Sequence, residues 1–422
     1  MTEQIEEQTG AARRRITLDL TPVSSSRLFR NLLIGDAVSV IGTQVTAVAV
    51  PLQVYAQTRS AAAVGLVGIA GLVPLIVLGL YGGAVADAVD RRRLVLLTTA
   101  AQAGLSAVLL AQAVAGLHAT WLLYAVVAAQ SGLFALDSPA RQAFVPRLLP
   151  ARLLPSANAL RQVEFNIGMT FGPLLAGVIV ATAGFGTAYG LDAVSFAASL
   201  WAVASLPSMA PEGGGTKAGL ASVVEGLRFL ATRKVLMLTF VVDIIAMVFG
   251  MPRALFPSLS FQVFHGGEAT AGAMFSALAG GALLGALFGG WFGRIHRQGV
   301  AVLLAIVAWG ACIVGFGLTD RLWLALVLLA GAGAADMVSA VFRTAILQTA
   351  APDGMRGRLG GVFIVVVAGG PRLGDGRSGA FASWFGLQEA VVIGGILVIG
   401  LTAVVAALVP RFAAYDSRHP EA

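Results

Sequence analysis

GGAVADAVDRRR, residues 82–93, is a short charged turn set between two apolar runs, near 63–88 and 94–116. Each run exceeds the about 20 residues that a helix needs to cross roughly 30 Å of hydrocarbon. A turn this tight between two such runs means a chain that crosses a bilayer and returns at once. Outward from it the pattern repeats, with further apolar runs near 31–55, 120–143, 159–183, 186–207, 235–259, 270–293, 299–319, 321–345, 358–379 and 387–409. These runs predict an all-α membrane protein with twelve transmembrane helices. Composition agrees: 57% of the 422 residues are hydrophobic and only 12% charged, about half the roughly 25% of a soluble chain, and the mean hydropathy is +0.85. A soluble enzyme is excluded.

The formal charge of +7 reads as topology rather than nucleic-acid binding. If the N-terminus is cytoplasmic, every Arg and Lys falls on the inside except Arg59, Arg253, Arg321, Arg372 and Arg377. By the positive-inside rule both termini are expected in the cytoplasm, in the cell (inner) membrane. The first run is too long for a signal-peptide core of about 7 to 15 residues and is expected to be retained. Four scattered histidines (His118, His265, His296, His419) and one cysteine, Cys312, give neither a disulfide framework nor a metal cluster.

The longest polar interruption, with Pro211, Gly213, Gly214 and Gly215, divides the chain. The expected organisation is a tail (1–30), a six-helix bundle (31–207), a cytoplasmic central loop (208–234), a second six-helix bundle (235–410) and a tail (411–422). A shift of 202 residues superposes ARQAFVPRLLP (140–150) on FRTAILQTAAP (342–352), aligning Arg141 with Arg343. The same shift carries Gly168 and Gly172 onto Gly370 and Gly374. Two pseudo-symmetric six-helix bundles are a transporter plan, with the substrate held between them near the midplane.

The opening turn contains Gly83-x-x-x-Asp87-x-x-Asp90-Arg91-Arg92. It resembles the loop signature of the major facilitator superfamily, G-x-x-x-D-x-x-G-R-R, with Asp90 in the place of a glycine. The glycine lets two helices approach, and the carboxylate can face the positive N-terminus of a neighbouring helix. The resemblance implies a cytoplasmic gate latch built from Gly83, Asp87, Asp90, Arg91 and Arg92, with Asp137 and Arg141 joining it and Arg141 as partner of Asp87. In the second half, GGWFGRIHRQG (289–299) keeps Arg294 without the acid; Arg294, Asp336 and Arg343 form the expected second gate.

The fifth run contains Gly168-x-x-x-Gly172-Pro173-x-x-Ala176-Gly177, similar to a helix pattern of exporting branches of that superfamily; plain helix packing is the alternative. Together with LFRNLLIGDAVSVIGTQVTAVAVPLQVY (28–55), DSPARQAFVPRLLP (137–150), EGLRFL (225–230) and RGRLGGVF (356–363), the chain resembles the enterobactin-exporter and multidrug-efflux branch. That resemblance implies a monomeric exporter, working by alternating access on a small amphipathic or anionic molecule.

Ionisable groups in hydrocarbon cost about 2.5 to 3.5 kcal/mol each on insertion scales and call for a function or a partner. Asp36 has no base within one turn of its own helix, which suits a group that loads and releases a proton; a permanently charged interfacial Asp36 is the alternative. Asp243 is the second coupling candidate. Gln44, Arg372, Asp375 and Arg377 are candidate substrate-cavity residues, the last three alternatively part of an outer loop. GDGRSG (374–379) matches a dinucleotide pattern but follows no strand. Without a Gly-Lys-Ser/Thr loop there is no ATP site, and no cofactor is implied. Protons are then the expected energy source, with a metabolite importer or a non-transporting membrane sensor as the other readings.

Overall fold

The computed structural model describes residues 19–210, 225, 228–350, 353–416 and 418. Arg13, Arg14 and Arg15 of the first tail, Lys217 and residues 211–224 of the central loop, and the side chains of Arg356 and Arg358 lie outside the described residues. Every regular element among the described residues is helical. The long helices are α1 (Arg27–Thr58), α2 (Ala61–Ala88), α3 (Arg91–Val114), α4 (Thr120–Gln142), α5 (154–183), α6 (185–204), α7 (Lys234–Gln262), α8 (Gly267–Leu287), α9 (Gln298–Leu318), α10 (Leu322–Ala350), α11 (Asp353–Phe385) and α12 (Leu387–Leu408).

Among the described residues, ten helical runs are long and apolar enough to cross a membrane. One of them, Ala151–Ala204, is 54 residues long and breaks at Gly184, with φ 79° and ψ 174°, into α5 and α6. α11 is not among the ten, but its 33 residues reach about 50 Å at 1.5 Å per residue. Several helices start earlier than hydropathy indicates. α1 begins at Arg27, with the Ser26 hydroxyl accepting from the Phe29 N–H at 3.2 Å, and α3 at Arg91, with Asp90 accepting from the Arg93 N–H at 2.9 Å. Backbone hydrogen bonding and caps carry a helix into the polar interface, where apolar content no longer marks it. α8 instead stops at Leu287 and gives way to a 3₁₀ turn, Gly289–Arg294.

In the first half α1 packs against the α5–α6 run, α2 against α4, and α3 against α4 and α6; in the second, α10 packs on α8 and α9, and α12 on α9 and α11. The break at Gly184 recurs at Gly386, 202 residues on, with φ 103° and ψ 165°. Side chains avoid this region of backbone space, so a glycine ends the fifth helix of each half without a loop.

The halves meet through α2 with α11 and α5 with α8. A Cβ on Gly177 would stand 3.0 Å from the Gly272 Cα, and one on Gly65 only 2.6 Å from the Asp375 carbonyl oxygen. Such backbone contact needs glycine. Both contacts lie toward the end opposite the termini, the far end. There the apolar core around Val48, Leu52, Tyr55 and Val180 of the first half includes Ala254 and Ala271 of the second. At the end that carries the termini, the clusters around Leu32, Leu94 and Phe144, and around Phe29 and Val145, draw among the described residues on the first half alone.

Candidate functional site

The α2–α3 turn is tied to the end of α6. Arg92 donates to the carbonyls of Val203 (3.3 Å) and Ala204 (2.7 Å), where helix-end carbonyls lack partners. Asp90 accepts from the Met209 N–H at 2.9 Å and from the Ser208 hydroxyl. Slight burial works against its ionisation, but the hydrogen bonds from Ser208 and from the backbone N–H groups of Arg93, Met209 and Arg92 outweigh this and hold the carboxyl below the usual range. Asp90 therefore serves the turn as a helix cap. Gly83 lies on α2, one turn before Asp87.

Asp87 pairs with Arg91, one turn on, at 3.1 Å, and this corrects the expected Asp87–Arg141 contact. Arg141 is held deeper by acids from two helices: Asp137 of α4 at 2.9 Å and Asp36 of α1 at 3.3 Å. Its remaining donors reach Thr99 of α3 and Ser199 of α6. Thr98 donates to Asp137 at 2.9 Å, and Arg161 approaches Asp36 at 3.8 Å. Asp36 is thus paired, by bases that lie far from it in sequence. The expectation of a partnerless Asp36 considered only its own helix.

The second half repeats the scheme with fewer parts. Arg343 of α10 pairs with Asp243 of α7 and, at 3.7 Å, with Asp336 one face along its own helix. A cavity of about 130 Å³ adjoins this cluster, lined among others by Thr239, Asp243, Met247, Asp336 and Arg343. Arg294 stands exposed at the end of the 3₁₀ turn.

The expected cavity residues of α11 are engaged between helices. Arg377 donates to the Val248 carbonyl at 3.0 Å and to that of Phe249, which a π-helical segment, Ile245–Phe249, presents, and it lies 5.0 Å over the Phe381 ring. It closes the irregular part of α7. Asp375 faces Arg253 of α7 at 3.8 Å, and Arg372 crosses between halves to the Ser131 hydroxyl at 3.2 Å. Gln44 meets the Met169 sulfur.

The Gly168–Gly177 pattern places α5 between two partners. Gly168 and Gly172 face Val40 and Gln44 of α1, while Pro173 and Gly177 face Gly272 of α8. Sequence reading missed two acids. Asp192 is 1% exposed on α6, and a lone acid in the apolar run 186–207 was signal enough to find it. Glu164 lines an apolar groove of about 290 Å³ between α1 and α5. Among the described residues no group of three or more His, Cys, Asp or Glu side chains could hold a metal ion.

Two helical halves joined at one end, each with an arginine–carboxylate cluster inside it, define a membrane transporter of the major facilitator fold. The chain belongs to the family described as transmembrane secretion effectors, whose model matches residues 18–421. It is 32% identical over 392 residues to the multidrug efflux pump Tap of Mycolicibacterium fortuitum, covering 89% of this chain and 94% of that one. It is 27% identical over 391 residues to the enterobactin exporter EntS of Citrobacter koseri, covering 91% and 92%. Among solved structures, a nucleoside transporter, NupG, superposes with a TM-score of 0.73 at 13% identity, over 90% of this chain and 100% of that one. A bacterial homologue of the lysosomal transporter Spinster does so at 0.69 and 15%, over 92% and 98%. The chain is a multi-pass membrane transporter, not an enzyme.

Proposed function

We propose that this chain is a proton-coupled exporter of a small amphipathic or anionic molecule, a siderophore or a drug, working by alternating access with both termini in the cytoplasm. The observation that carries this reading is the uneven closure of the two halves. At the far end they share an apolar core and glycine-to-backbone contacts, whereas among the described residues the terminal-end clusters around Leu32 and Phe29 belong to one half. With the termini inside, this is a transporter open to the cytoplasm.

The names of the relatives, an enterobactin exporter and a multidrug efflux pump, support outward transport. Rocking of the halves would separate α2 from α11 and α5 from α8, with the Arg372–Ser131 bond among those broken. Asp87, at the turn that Arg92 ties to α6, latches the cytoplasmic side in the opposite state. Asp36 and Asp243, each paired to the arginine of its own half, respond to charge in the cavity between them; a substrate anion or a proton competes for the same pairing.

Inside-out membrane vesicles given a proton gradient should accumulate enterobactin or ethidium only when they contain this protein, and a protonophore should abolish the accumulation. Accumulation indifferent to the protonophore would overturn proton coupling, and accumulation by right-side-out vesicles alone would reverse the direction.

A further inference from the structure

Asp192 differs from the other described aspartates of the spans. Asp36 and Asp137 have Arg141, Asp243 and Asp336 have Arg343, and Asp375 has Arg253. Asp192, 1% exposed in the seam of α1, α3 and α6, has only hydroxyls. Thr46 of α1 donates to its Oδ2 at 2.8 Å and Ser106 of α3 to the same atom at 2.7 Å, while Oδ1 is buried with no hydrogen-bond partner.

This shell is poor for an anion. A buried carboxylate without a base keeps its full desolvation cost, and an oxygen with no donor adds to it. A neutral carboxyl fits, accepting both hydroxyl bonds on one oxygen and carrying its proton on the other. Packing alone does not require an acid, because 202 residues on, at the corresponding place in α12, stands Gly394, with the Arg377 Nη1 3.0 Å from where its Cβ would be. The first half holds an acid where the second holds the edge of a guanidinium.

The shell also leads somewhere. Ser106 accepts from Gln130 Nε2 of α4 at 3.2 Å, and Gln130 precedes Asp137 by seven residues and Arg141 by eleven, so the three share one helix face. The charged and titratable groups on the elements around Asp192 are few. They are Arg27, Arg30, Asp36 and Tyr55 of α1, Asp36 lying ten residues from Thr46; Tyr124, Asp137 and Arg141 of α4; on α3 only Arg91, Arg92 and Arg93 at its start; and on α6 itself Tyr189, whose hydroxyl donates to Gln53 at 2.6 Å. We propose that Asp192, held by Thr46 and Ser106, is the carboxyl that carries the transported proton.

The proposal rests on the proton-coupled reading above, and its test separates the two. Infrared difference spectra of the full-length protein in liposomes, between acidic and alkaline buffer, should show a protonated-carboxyl C=O band. That band should vanish in Asp192→Asn, remain in Asp36→Asn and Asp243→Asn, and shift in Ser106→Ala, which removes one donor and keeps the acid. In vesicles, Asp192→Asn should still exchange ethidium across the membrane but lose accumulation driven by a proton gradient. A band unchanged in both Asp192→Asn and Ser106→Ala, or gradient-driven accumulation by Asp192→Asn equal to that of the unaltered protein, would overturn the assignment to Asp192 while leaving proton coupling in place. An unaltered protein that ignores the gradient would overturn both.

Discussion

Arg141 and Arg343 occupy corresponding places in the two halves, yet their surroundings differ in kind. Arg141 is gripped from four helices: Asp137 on its own, Asp36 on α1, Thr99 on α3 and Ser199 on α6. Arg343 has two acids, one of them at 3.7 Å, beside a cavity of about 130 Å³. A cluster held from four helices resists rearrangement, while one held from two and bordering empty space can be repartnered. In the proposed cycle the first half would then be the fixed reference and the second the part that yields.

The largest effect should follow from Arg141→Ala, which leaves buried Asp137 without a base and Asp36 with only Arg161 at 3.8 Å, at about 3 to 5 kcal/mol. Arg343→Ala should cost less, because water can enter the adjoining cavity to solvate Asp243. Thermal unfolding of the two variants in detergent compares them, and equal losses would break the contrast. Gly184→Ala and Gly386→Ala force a side chain into backbone space reserved for glycine, at of order 1–3 kcal/mol each. Similar shifts in melting temperature would show that the halves differ at their arginines and not in their frames. Asp243→Asn should lower efflux on the order of tenfold, about 1.4 kcal/mol in barrier terms, and Asp36→Asn by less, since Asp137 still holds Arg141. Vesicle efflux rates decide the order, and the reverse order would make the first half the responsive one.

The smallest effect is expected from Asp90→Ala, about 1 kcal/mol for a lost helix cap. Because hydrogen bonds hold the Asp90 carboxyl below its ordinary value, its contribution is present above the usual carboxylate range and is lost as pH falls through the folded value. The melting temperatures of this variant and the unaltered protein should converge in acid.

The spans were legible because a bilayer demands long apolar runs, and the twin arginines because a shift of 202 residues aligns them. The acids around them were legible as costs, and spacing on one helix pointed to Asp137 beside Arg141. What spacing could not provide was pairing between helices. Arg141 reaching Asp36 across 105 residues, or Arg377 covering carbonyls of α7, depends on how helices turn against one another, and hydropathy carries no trace of that. The shell of Asp192 was hidden for the same reason, since Thr46 and Ser106 read as ordinary residues until three helices meet.

The glycine breaks have one more consequence. At the far end the connections between successive helices are 59–60, 115–119, Gly184, 263–266, 319–321 and Gly386. None is longer than five residues, and two are a single glycine. With the termini in the cytoplasm, as proposed, a surface so bare gives antibodies, phage or toxins almost nothing to grip from outside the cell. An epitope tag or fluorophore meant for that side should go into 115–119, the longest of these connections, and binders for imaging are better raised against the side that carries the termini.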